Sequence, residues 1–172
     1  MCIRDRAYVE GHRHAVREKA EIMIDHFHDQ VIAKKKIGGK ARAMVVCKSI
    51  KQAMLYKEAF DAYLKERKSP WKAIVAFSGE HEWAGDPKVN EAKMNGFASS
   101  KIVETFAADE VKGIPRKQPY RFLIVAEKFQ TGYDEPLLHT MSVSYTHLVH
   151  WAKRTILRNN HSTVFGKSLF KM

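Results

Sequence analysis

FLIVAEKFQTGYDEP, residues 122–136, is the stretch on which the fold turns. Phe122–Ala126 is a short, unbroken apolar run without polar alternation, the pattern of a strand buried on both faces of a parallel sheet. The polar run Glu127–Asp134 then lies at the strand's carboxyl end. In open α/β sheets ligands bind at that end.

Working outward, the same pattern recurs twice upstream. ARAMVVCKS predicts a strand at about Ala43–Cys47, with Ser49 as N-cap of a helix from Ile50 to about Arg67. Ala53, Met54, Tyr56, Ala59, Phe60, Tyr63 and Leu64 supply that helix's apolar face. A second strand, Trp71–Phe77, follows Ser69-Pro70 and runs into the small-residue turn Ser78-Gly79. Glu80–Asn95 is polar and reads as a loop with one short helix, and a further helix is expected from about Ser99 to Ala108. VKGIPRKQPY is a turn-rich link into the third strand. Before the first strand, Tyr8–Lys36 has few chain breakers and places Ala15, Ile22, Phe27 and Val31 among charges, an amphipathic helix with Lys34, Lys35 and Lys36 in its last turn. Strands alternating with helices predict an α/β class with a parallel sheet and right-handed crossovers.

The bulk properties bound the function. The chain has 172 residues, a one-domain length able to bury a core without staples. No apolar run approaches the roughly 20 residues of a membrane span, and MCIRDR lacks a signal peptide's apolar stretch. Cys2 and Cys47 give neither a disulfide framework nor metal spacing, and Cys47, closing an apolar strand, reads as a buried thiol. A reducing cytoplasm is the compartment this predicts. The net charge of +11 favours a polyanionic partner. Residues 144–172 carry Lys153, Arg154, Arg158, Lys167 and Lys171 with no acid, so the remainder is only mildly basic.

Each strand ends in polar or small residues on one expected edge: Lys48-Ser49, Ser78-Gly79 and Glu127–Asp134. Backbone N–H groups at helix starts attract anions and glycine lets a phosphate approach closely, so this edge is a candidate phosphate surface. Gly132 also fits a plain turn, and Asp134 with Pro136 an ordinary helix start. No G-x-x-x-x-G-K-[ST] occurs, Gly38-Gly39-Lys40 does not fit it, and no DEAD-like acidic pair is present. His12/His14 and His26/His28 are i,i+2 pairs that diverge on a helix, and His81-Glu82 lacks a second histidine at zinc-protease spacing. No G-x-G-x-x-G follows a strand, which weighs against a dinucleotide-binding enzyme.

RAMVVCKS (42–49), IVAFSG (74–79) and above all FLIVAEKFQTGYDEPLLHTM (122–141) resemble motifs of the second RecA-like domain of superfamily-two helicases. More narrowly they resemble the motor and endonuclease subunit of type I restriction enzymes. The resemblance spans about Lys19–Met141, and its most specific string is QTGYDEPLLHTM. It implies a partial second RecA-like α/β domain at 42–143, its parallel sheet incomplete, preceded by a helical lead-in at 7–41, from an ATP-dependent double-stranded DNA translocase. It further implies DNA contacts by Lys48, Ser49, Ser78, Gly79, Lys128, Gln130 and Thr131, with Thr131 also able to face the neighbouring domain. Gly132 and Asp134 would face the nucleotide cleft. In the parent, ATP and Mg2+ would be the cofactors. Duplex DNA, the first RecA-like domain, and the modification and specificity subunits would be the partners.

The family pattern departs after Met141. An arginine-bearing motif is not found downstream, and AKRTILRNN has the wrong neighbours for an arginine finger. MCIRDR and SVSYTHL are similar to peptides translated from sequencing-adapter DNA, so residues 1–6 and roughly 142–172 are expected to be foreign to the parent. Two functional classes follow: a motor fragment inactive alone, or a stand-alone basic α/β module that binds nucleic acid or protein without catalysis.

Overall fold

The computed structural model describes residues 12–107, 110–111, 114–115, 120–129 and 133–144. Helix α1 (Arg13–His26) passes into a π-helical turn (Phe27–Ile32) and then a 3-10 turn (Lys36–Gly39). Strand β1 (Arg42–Val46), helix α2 (Ile50–Glu66) and strand β2 (Lys72–Ala76) follow. An insertion carries β3 (His81–Trp83), β4 (Asp86–Val89) and α3 (Glu91–Asn95), and a 3-10 turn (Ser99–Lys101) leads into α4 (Ile102–Ala107). Two-residue strands β5 (Glu110–Val111) and β6 (Ile114–Pro115) precede β7 (Tyr120–Val125) and β8 (Leu138–Val143).

The fold is α/β: a four-stranded, wholly parallel sheet in the order β2-β7-β1-β8, flanked by helices. The three apolar runs singled out in the sequence are its three adjacent strands, and Ala43, Met44, Val45 and Val46 pair with Phe122, Leu123, Ile124 and Val125. Alternation in a strand sends successive side chains to opposite faces. Ala43, Val45, Cys47, Ala73, Val75, Phe77, Phe122 and Ile124 therefore share one face, packed against Val16, Ala20, Ile24 and Phe27 of the first helical segment and Ala53, Phe60 and Leu64 of α2. Met44, Val46, Ile74, Ala76, Leu123 and Val125 share the other, against Ile102 and Phe106 of α4. Phe122 makes T-shaped contacts with Phe27 and Phe60, with ring centroids 4.8 and 5.3 Å away. Burying a side chain of this size contributes roughly 1.5–3 kcal/mol.

Several expectations need correction. The buried stripe of the first helix is Val16, Ala20, Ile24, Phe27 and Val31; Ala15 and Ile22 are only half-buried. The lysines expected in its last turn lie beyond it, and Lys35 has a left-handed backbone (φ 49°). Glu80–Asn95 holds the β3–β4 hairpin as well as α3, because Ala84-Gly85 reverses the chain with both φ positive. The predicted 99–108 helix is a 3-10 turn followed by the shorter α4, and the link after it carries the antiparallel pair β5–β6. The strand β8 was not anticipated as part of the sheet. It runs past Met141 through Val143, and Ser144 is buried, its N–H donating to the Val46 carbonyl at 2.9 Å. No helix among the described residues is long and apolar enough to cross a membrane.

Candidate functional site: the carboxyl edge of the sheet

The site is built where β1, β2 and β7 end side by side. After β1 the chain turns at Lys48 and Ser49, both exposed. Ser49 adopts the extended N-cap conformation, and its Oγ accepts from the Gln52 N–H at 3.3 Å, as the sequence predicts. Gln52 Oε1 in turn accepts from the Lys48 N–H at 3.1 Å and from the buried Ser144 hydroxyl at 2.9 Å. One buried amide thereby ties the β1 turn to the end of β8. Ser49 starts a 17-residue helix whose positive dipole end, with the exposed Lys48 and Lys51, faces this edge.

After β2, Ser78 and Gly79 are exposed, and Gly79 takes φ 84°, a region that strains residues bearing Cβ. His81 Nε2 lies 2.9 Å from the Ser78 carbonyl, which can only accept, so this nitrogen carries the proton. After β7, Lys128 Nζ sits 2.6 Å from Glu91 Oε1, while Glu91 Oε2 accepts from the Phe77 N–H at 3.0 Å. Sequence reasoning missed Glu91: in the chain it is one acid in a polar insertion. In the fold its carboxylate is buried and joins the ends of β2 and β7.

Five predicted residues thus gather on one edge: Lys48, Ser49, Ser78, Gly79 and Lys128. Gln130, Thr131 and Gly132 lie outside the described residues. The ring of Tyr133, the residue before Asp134, lies 5.0 Å from that of Phe129, and Tyr133 and Leu138 pack on the α4 face. Asp134 is exposed one residue before Glu135, whose carboxylate pairs at 3.4 Å with Arg42, the first residue of β1.

Comparison with protein-family models, curated proteins and solved structures finds no match.

Cys47 is 1% exposed and desolvation pushes its thiol up to about 12, so it offers no nucleophile at neutral pH. Among the described residues no group of three or more His, Cys, Asp or Glu is arranged to hold a metal ion. Exposed lysines, a serine, a positive-φ glycine and a helix start suit an anionic oxygen.

Proposed function

We propose that this chain is part of the ATP-dependent double-stranded DNA translocase motor of a type I restriction endonuclease, supplying DNA-backbone contacts from the carboxyl edge of its sheet and one side of the ATP cleft. The observation that carries this reading is the convergence of the turns after β1, β2 and β7, the motif-bearing segments of the sequence, on one edge of a parallel sheet. A RecA-like arrangement is the finer form of that fold which the motif resemblance supports. Lys48, Ser49, Ser78 and Gly79 are assigned to the duplex backbone, along with Gln130 and Thr131 from the sequence. Gly132 and Asp134 are assigned to the domain-facing side by resemblance alone.

The described residues do not fit a tightly held nucleotide. The Lys48 N–H already bonds Gln52, and the Glu91 carboxylate is taken up by Lys128 and the Phe77 N–H. ATP and Mg2+ therefore belong to the parent, whose first RecA-like domain would bring the phosphate-cradling loop and magnesium carboxylates. Modification and specificity subunits would complete the complex, and this chain alone is expected to hydrolyse nothing.

The test is the parent reading frame together with the chain's own binding. A phosphate-binding loop and a DEAD-like pair encoded upstream in the same frame support the motor. Salt-sensitive binding of a short duplex, weakened by Lys48→Ala, supports the assigned edge. A frame lacking both motifs, with duplex binding retained, makes the chain a stand-alone binding module instead.

A further inference from the structure

Lys128 stands between two residues with left-handed backbones, Glu127 and Phe129, each at φ 59°. Neither is glycine, and for an L-residue this region crowds Cβ against the carbonyl, so neighbouring contacts must hold it. Those contacts are specific. The Lys128 ammonium lies 2.6 Å from Glu91 Oε1 and 5.3 Å from the centre of the Phe129 ring, and that ring packs on Tyr133 at 5.0 Å. Glu91 is 4% exposed and pinned on its far side by the Phe77 N–H. The carboxylate belongs to the insertion after β2 and the ammonium to the loop after β7, so one ion pair clasps two adjacent strand ends.

A buried carboxylate fixed by a backbone N–H is a better-held partner than the lysine, whose side chain remains 29% exposed. When the pair opens, the mobile member is the lysine. A phosphate oxygen offers the ammonium an equivalent charged acceptor. Opening also lets the two flanking residues leave their strained conformations.

We propose, resting on the DNA reading above, that Glu91 is a positioning residue which withholds Lys128 from a duplex bound at this edge, the ammonium passing to a backbone phosphate and the loop 127–129 relaxing only when the clasp is opened. Glu91→Gln is the informative change, because the amide oxygen still accepts from Phe77 N–H while the charge that holds Lys128 is gone.

The measurement is the affinity of the full chain for a short duplex at several salt concentrations, with hydrogen exchange followed at residues 127–129. Releasing one lysine to phosphate steepens the log–log salt slope by about 0.9. Glu91→Gln is expected to show this steepening and faster exchange at 127–129. The double variant Glu91→Gln/Lys128→Met should return the slope to the wild-type value while exchange stays fast. A purely structural Glu91 would change stability without steepening the slope. An unchanged slope in Glu91→Gln, with wild-type binding intact, overturns the clasp and leaves the DNA reading standing. Absence of duplex binding by every form overturns the DNA reading, and unchanged exchange in Glu91→Gln then overturns the clasp as well.

Discussion

At position 47 a thiol sits where only a small apolar group is comfortable, and its protonation follows from that. Burial raises it from 9.0 to about 12. The unfolded thiol ionises first as pH rises, so its contribution to stability is complete below pH 9 and is lost between 9 and 12, by roughly 1.4 kcal/mol per pH unit. Cys47→Ala should therefore show a flatter fall of melting temperature than the wild type from pH 9 to 11. Alkylation mapped by mass spectrometry at pH 8 should leave Cys47 unmodified until the protein is denatured. The acids at 134 and 135 contrast sharply. Glu135 faces the fully buried Arg42 guanidinium, which also lies 5.2 Å from the centre of the Phe106 ring, whereas Asp134 is exposed. Glu135→Ala should cost about 3–5 kcal/mol in urea unfolding, since it strips a partner from a buried charge, and Asp134→Ala within about 0.5 kcal/mol. Cys47 was legible in the sequence because it ends an apolar run. Glu135 was not: adjacent acids look alike until the chain's return path buries one.

Elements show the same division between what a local pattern announces and what distant partners decide. The three central strands were legible because each is a continuous apolar run, and the cap at Ser49 because a hydroxyl before a helical pattern has a local meaning. The first helix was misread in phase: its buried positions run 16, 20, 24, 27 and 31, and the π-helical turn at Phe27–Ile32 alters the winding under that stripe. β8 escaped notice because it lies at the edge of the sheet and is half-exposed along its length, with Met141 53% exposed. At the opposite edge, β2 is closed by side chains instead of a strand. Asn95 accepts from the Val75 N–H at 2.9 Å and donates to its carbonyl at 2.7 Å, as a neighbouring strand would. Asn95→Ala should cost about 1–3 kcal/mol in thermal or urea unfolding, the penalty for unpaired backbone groups, and should promote association visible by light scattering as concentration rises. Nothing in the spacing of 20 residues between Val75 and Asn95 signals this pairing.

For the whole molecule, class and layering could be read from alternating strand and helix patterns, but the order of strands could not, since apolar runs do not say which of them are neighbours. That order has a consequence for how the chain comes into being. β1 and β2 are complete by residue 76, yet they never touch: β7 lies between them, and β8 closes the far side of β1. The gap they leave is about 10 Å, two strand spacings, too wide for backbone hydrogen bonds. A chain growing from its amino terminus can wind α2 early, but no rung of the sheet can form until β7 has emerged from the ribosome, and β1 waits for residues 138–143 to gain its second neighbour. Such separated pairings fold slowly. A chain halted after Ala107 should therefore show helical circular dichroism, bind a hydrophobic dye and lack protected amides in β1 and β2. Until β7 emerges, β1 and β2 are sticky strands without their partner, and they need shelter for as long as it takes to arrive.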